Sequence, residues 1–151
     1  MYPENTLLAF EKAAELEGLT GIELDIQLTR DGRMAVCHDE KVDRTTNGTG
    51  ELRGYSMVEL KALKINAGDG KYERIPEIEE VLDLLEPRMR KGLRLNIELK
   101  NSVFPYEGME EKIIELVHRR GLESQVVYSS FYARSLERIR EIDPAAELGI
   151  L

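Results

Sequence analysis

From residue 94 onward, short apolar runs alternate with amphipathic stripes, and that order constrains the fold more than any single motif in the chain. Residues 94–99, 125–130 and 147–151 have the length and apolar content of strands. Between them, Met109, Ile113, Leu116 and Val117 recur at helical spacing and end at Gly121. Leu136 and Ile139 mark a second stripe, stopped by Pro144. Strand, helix, strand, helix, strand implies an α/β fold, because parallel neighbours need a long crossover and a helix supplies it.

The first part of the chain is less regular. Asn5 or Thr6 is placed to cap a helix whose Leu7, Phe10 and Ala14 share a face and which Gly18 closes. Ser56 and Glu59 have capping-box spacing at the start of a short helix. Ile78, Val81, Leu82 and Leu85 form a third stripe, bounded by Pro76 and Pro87. Strands are expected at 21–26 and 34–38, with only residues 27–33 between them. That link is too short for a crossover helix. Fully extended it reaches roughly 23 Å at about 3.3 Å per residue, so an extended crossover or a bent hairpin is expected. Residues 39–54 are polar and turn-rich, as in an ordered loop or small insertion.

The chemistry concentrates on the strands. In 21–26, alternation places Ile22, Leu24 and Ile26 on one face and Glu23 with Asp25 on the other. A parallel strand in an α/β protein buries both faces, so two carboxylates would point inward about 7 Å apart. Unpaired, they repel and take up protons. A hard divalent cation removes that cost, since such ions prefer oxygen ligands. An edge strand with a solvated acidic face satisfies the same alternation. The pattern returns in 95–100, where Asn96, Glu98 and Lys100 share a face opposite Leu95, Ile97 and Leu99. Glu98 offers a third carboxylate and Lys100 a cation suited to a phosphate oxygen. The alternative is a surface Glu98–Lys100 pair of little worth. His38 closes an apolar strand before a polar loop, where α/β enzymes carry acid–base groups. A structural histidine fits that position too. His118, beside Arg119 and Arg120, reads as a solvated helix residue, and Cys37 as a small buried hydrophobe facing the helix layer. Acids at 107–111 open a helix and complement its dipole.

Composition excludes some classes. The net charge of −8 lacks the basic face a nucleic-acid partner requires. No apolar run approaches the length of a transmembrane segment. One cysteine forms no internal disulfide, and no signal peptide is evident, so cytoplasmic residence is the expectation.

Taken in order, the segments resemble those of bacterial glycerophosphodiester phosphodiesterases along essentially the whole chain. They are Pro3-Glu4-Asn5-Thr6, GIELDIQLTRDG at 21–32, His38-Asp39, DRTTNGTG at 43–50, RIPEIEEVL at 74–82, NIELK at 96–100 and YSSF at 128–131. The resemblance implies a TIM (β/α)8 barrel with a small insertion, here 39–72, inside a single domain covering 1–151. It implies that Glu23, Asp25 and Glu98 bind Mg²⁺ or Ca²⁺, that His38 is a general acid or base, and that Lys100 contacts phosphate, with Glu4 and Asn5 in support. The implied activity is metal-dependent hydrolysis of a glycerophosphodiester to an alcohol and glycerol 3-phosphate. A non-catalytic remnant that binds metal or a partner chain is the alternative.

Two family features have no counterpart among these residues. One is a His-Arg-Gly segment that supplies the second acid–base histidine and a phosphate-binding arginine. The other is the set of later strands that close the barrel. The chain is therefore expected to resemble the middle three fifths of such an enzyme. A partial barrel lacking its first and last strands should leave the strands at 21–26 and 147–151 with open edges, prone to self-association, and should catalyse poorly.

Overall fold

The computed structural model describes residues 2–151. In chain order its elements are α1 (Leu7–Ala14), β1 (Gly21–Leu28), β2 (Met34–Val36), α2 (Met57–Ala62), β3 (Ile65–Gly68), β4 (Lys71–Glu73) and α3 (Ile78–Met89). They continue with β5 (Arg94–Leu99), α4 (Met109–Arg119), β6 (Val126–Ser130), α5 (Ala133–Ile142) and β7 (Glu147–Ile150). Five strands form one sheet in the order β2-β1-β5-β6-β7, and β3 with β4 forms a separate hairpin. The neighbours β1, β5, β6 and β7 are all parallel, each pair joined through helix-containing connections. The result is an α/β sheet that does not close on itself among the described residues, the geometry of a partial barrel.

Local chemistry accounts for most element ends. Thr6 Oγ1 accepts the Ala9 amide hydrogen at 3.2 Å and caps α1. The Ser56–Glu59 capping box is formed at α2. Pro87 was expected to lie beyond α3 but sits inside it, two residues before the end. A proline there forfeits one backbone hydrogen bond in the last turn, and the helix stops within a residue or two of it.

The short link after β1 is resolved as a hairpin. The Thr29 amide donates to Arg33 O and the Gly32 amide to Thr29 O, both at 2.9 Å, with Gly32 at φ +73, a left-handed conformation that glycine adopts without strain. β2 therefore runs antiparallel to β1, pairing Ile26 with Val36 and Leu28 with Met34. This register corrects two expectations. The strand stops at Val36 instead of His38. Since Val36 shares the helix-facing side with Ile26, Cys37 faces the other way, into a second core with Ala35, Val42, Leu52, Met57, Leu60, Ile65 and Ile75.

The main core lies between the sheet and helices α1, α3, α4 and α5. Leu24, Ile26, Leu95 and Ile97 from the strands meet Phe10, Ile78, Val81, Leu82, Ile113, Val117 and Ile139 there. Each fully buried aliphatic side chain stabilises the fold by about 1.5–3 kcal/mol. The second core closes beneath the segment 39–72, whose β3–β4 hairpin was not expected from the sequence. Asp69 and Gly70 both have positive φ at its turn, the arrangement that suits a two-residue hairpin loop.

The two edges of the parallel strands differ in how much of each is covered. β1 pairs with β5 along 21–26 and is flanked by β2 at Ile26–Leu28. β2 is itself flanked by the segment at Pro76 and Glu77, through the Val36 amide to Pro76 O at 2.9 Å. The hairpin covers only the end of β1 on that side, and Gly21–Leu24 have a strand partner in β5 alone among the described residues. β7 has a strand partner on one side only, β6, among the described residues. Among the described residues, no helix is long and apolar enough to cross a membrane.

A candidate cation and acid–base site

The parallel register of β1 with β5 sets Asp25 beside Glu98 and Glu23 beside Asn96, all on the face turned away from the helices. Carboxylate oxygens of Glu23, Asp25 and Glu98 lie within 4.8 Å of one another. Asp25 is 3% exposed and Glu98 8%, which rules out a solvated acidic face for these two, whereas Glu23 is exposed at the margin. Lys100 Nζ stands 3.3 Å from Glu98 Oε1 with both side chains largely enclosed, so theirs is no surface pair.

Three acids with one nearby ammonium leave the cluster short of positive charge. Partial desolvation at the margin of the site first, then the charges of Asp25 and Glu98, push the Glu23 carboxyl up to about 7. Burial likewise raises Glu98, with Lys100 opposing. Asp25 Oδ2 accepts from Asn5 Nδ2 at 3.0 Å, while Asp25 Oδ1 is buried with no hydrogen-bond partner. A buried, orphaned carboxylate oxygen is costly unless something positive meets it. Oxygen donors at these separations suit the ligand distances of Mg²⁺ or Ca²⁺, so the residues present fit a hard divalent cation.

Asn5 reaches Asp25 from a left-handed backbone conformation, φ +53, immediately before α1. Only glycine, asparagine and aspartate adopt it readily. Glu4 was expected only in support, and its partner was not foreseen. Arg44, from the segment after β2, donates to both Glu4 and Asp39, at 2.6 Å from Nε to Asp39 Oδ2. Arg44 first, aided by His38, holds the Asp39 carboxyl down to about 2. Asp39 Oδ1 in turn lies 2.8 Å from His38 Nδ1. An ionised carboxylate can only accept, so Nδ1 carries the proton. His38 is raised chiefly by that hydrogen bond. Its Nε2 has no hydrogen-bond partner among the described residues.

Glu4, Asn5, Glu23, Asp25, His38 and Arg44 line one cavity of about 260 Å³. His38 reaches it by hairpin register, since the Cys37 amide donates to Asp25 O at 3.0 Å, and not because parallel strands share a rim. Cys37 itself is buried and its thiol is pushed up to about 12, which leaves it without nucleophilic character. His118 lies outside the cavity, where it pairs with Asp143 across α4 and α5 at 2.8 Å. Glu110 does more than face a helix dipole: its Oε1 accepts from Asn101 at 3.0 Å and from Ser135, in a buried network.

A model of the glycerophosphoryl diester phosphodiesterase family matches residues 1–151. A glycerophosphodiester phosphodiesterase of Bacillus altitudinis is 46% identical over 155 residues, covering 99% of this chain and 61% of that protein. One from Caldanaerobacter subterraneus is 42% identical, with 99% and 61% covered. The chain thus spans about three fifths of the length of these relatives. Among solved structures, a glycerophosphodiester phosphodiesterase from Agrobacterium tumefaciens superposes with a TM-score of 0.82 at 30% identity, over 98% of this chain and 61% of that one. A phosphodiesterase of Oleispira antarctica, solved with its product sn-glycerol-3-phosphate, gives 0.78 at 29% identity, over 99% and 60%.

Proposed function

This chain belongs to the glycerophosphoryl diester phosphodiesterase family, and from that premise we propose that it takes part in cation-dependent hydrolysis of a glycerophosphodiester to an alcohol and glycerol 3-phosphate. The observation that carries the reading is the buried, partnerless Asp25 Oδ1 among three converging carboxylates, beside an imidazole with a free Nε2. Glu23, Asp25 and Glu98 would hold Mg²⁺ or Ca²⁺, which when bound polarises a phosphoryl oxygen and lowers the pKa of an attacking hydroxyl or water. Lys100, beside Glu98, is suited to a second phosphate oxygen. Hydrolysis breaks the P–O bond to the leaving alcohol and forms one to the incoming oxygen. One oxygen gains a proton and the other loses one, and His38 Nε2 would serve one of these transfers.

His38 is the one imidazole at the cavity among the described residues, so the second transfer falls to solvent and turnover by these residues alone should be slow. The test follows release of glycerol 3-phosphate from glycerophosphocholine with Mg²⁺ or Ca²⁺ and with a chelator. Slow, cation-dependent release is expected, abolished in Glu98→Gln and lowered about 10²–10⁴-fold in His38→Ala. Equal release in chelator would overturn the reading. Tight cation binding without any release would support the alternative of a metal-binding segment that is not itself catalytic, which the single imidazole favours.

A further inference from the structure

β1 carries three inward polar side chains, and the third has no part in holding charge. Gln27 is 0% exposed. Its Nε2 donates to Cys37 O at 2.9 Å and Asp39 O at 2.8 Å, with His38 O at 3.3 Å, while Oε1 accepts from the Tyr106 hydroxyl at 3.0 Å. Three successive carbonyl oxygens therefore converge on one amide. Only the nitrogen end can face them, because the oxygen end would add a fourth acceptor. Tyr106, itself buried, comes from the segment after β5 that follows Lys100 and occupies the other end of the amide.

We infer that Gln27 is a positioning residue for His38, fixing the peptide planes of 37–39 from inside the protein so that the imidazole meets Asp39 on one side and the cavity on the other. The inference rests on the reading of His38 as the proton-transfer group. Peptide orientation at 37–39 sets the direction of the His38 and Asp39 side chains. The same strand supplies Asp25, whose carbonyl accepts the Cys37 amide at 3.0 Å. One rigid strand thus sets the cation ligands and the imidazole relative to each other, through Asp25 for the first and Gln27 for the second. A buried amide with no such task would be replaceable by a side chain of its own shape, since a hydrogen-bonding group enclosed without need costs stability. Here removing the donor leaves the buried Cys37 carbonyl unmet and Asp39 O with only the weak Cys37 thiol at 3.7 Å, and these groups must turn to find other partners.

Gln27→Met keeps the volume and deletes the donor. The chain has two histidines, so ring nitrogen NMR reads both, with His118 as the internal control. In the unaltered chain His38 should show a proton fixed on Nδ1. In Gln27→Met that signal should broaden or divide between the two ring nitrogens, while His118 stays unchanged and Mg²⁺ affinity by calorimetry is retained. Where hydrolysis is measured, kcat should fall about 10–100-fold at constant KM, the effect of a misplacement near 1 Å. His38 signals in Gln27→Met that superpose on those of the unaltered chain overturn the inference, whatever the turnover. Displaced His38 signals without hydrolysis in either protein would leave it standing and count against the activity alone. A second measurement needs no variant. The Gln27 side-chain amide protons should exchange with solvent far more slowly than those of exposed amides, and free exchange would also overturn the proposal.

Discussion

Two triplets of potential ligands, one of three acids and one of two acids with a histidine, meet at this cavity, and they are wired in opposite ways. Glu23, Asp25 and Glu98 have one ammonium between them, an orphaned oxygen on Asp25, and a Glu23 carboxyl pushed up to about 7. Glu4 and Asp39, with His38, could also gather around an ion by distance alone. Arg44 already grips both of those acids, and Asp39 is held down to about 2. Ligand geometry is therefore shared by the two groups and charge balance is not. The first is left incomplete without a cation, whereas the second is complete within the chain and acts on the imidazole. Proximity of acids identifies neither role by itself.

The largest effect should come from removing charge where it is unmatched. Asp25→Asn should weaken Mg²⁺ or Ca²⁺ binding by more than about 100-fold, because loss of an outer-shell partner alone costs about 10–100-fold. Asp39→Asn should leave that affinity nearly unchanged. Calorimetric titration of both variants decides it, and equal losses would erase the distinction between the triplets.

Arg44→Met attacks the comparison from the other side. Deleting the guanidinium leaves Glu4 and Asp39 facing each other beside His38 with no cation of their own. A second, weaker binding event should then appear in the same titration, with the first event preserved. If Arg44→Met binds a single equivalent, as is expected of the unaltered chain, the second triplet lacks the capacity its geometry suggests.

Much of this was legible in the sequence, for identifiable reasons. Glu23, Asp25 and Glu98 interrupt apolar runs with strand periodicity, and a parallel register carries that pattern straight into space. Thr6 and the Ser56–Glu59 box act within one helical turn, so local spacing reveals them. Arg44 was missed because its partners come from Glu4 and from a turn whose path depends on the hairpin. Gln27 continues the inward face of Glu23 and Asp25, and that was its only available signal. Its importance arises once the carbonyls of 37–39 are assembled over it. Glu110 looked like an ordinary first-turn acid because Asn101 and Ser135, which enclose it, lie on separate elements. The β3–β4 hairpin was missed although Gly68-Asp69-Gly70 is a turn signal, because its strands are short and carry little apolar alternation.

The smallest expected effect is also the one that reads both triplets in a single experiment, the pH dependence of the cation-free thermal midpoint. A carboxyl whose folded pKa is raised keeps its proton longer in the folded protein than in the unfolded one. Its contribution is full below the ordinary value near 4.5 and is lost as pH rises through about 7 for Glu23. Asp39 has the opposite sign. Its contribution is present above the ordinary value near 3.8 and is lost only as pH falls toward about 2. His38 is raised, so it too contributes below its ordinary value near 6.5 and loses that contribution as pH rises. Between about pH 5 and pH 8, then, Asp39 is silent while Glu23, His38 and the likewise raised Glu98 all lower stability as pH increases. The midpoint should drop across that interval, and Glu23→Gln should flatten the part of the slope below His38's own titration. Adding Mg²⁺ or Ca²⁺ at about 100 times its Kd should raise stability by about 2.7 kcal/mol at the upper end. The gain should shrink toward pH 5, where protons hold the same oxygens. A cation-free midpoint that climbs from pH 5 to pH 8, or a cation effect independent of pH, would mean that the Glu23 carboxyl is not strained by its neighbours. The contrast between the two triplets would then rest on Asp25 alone.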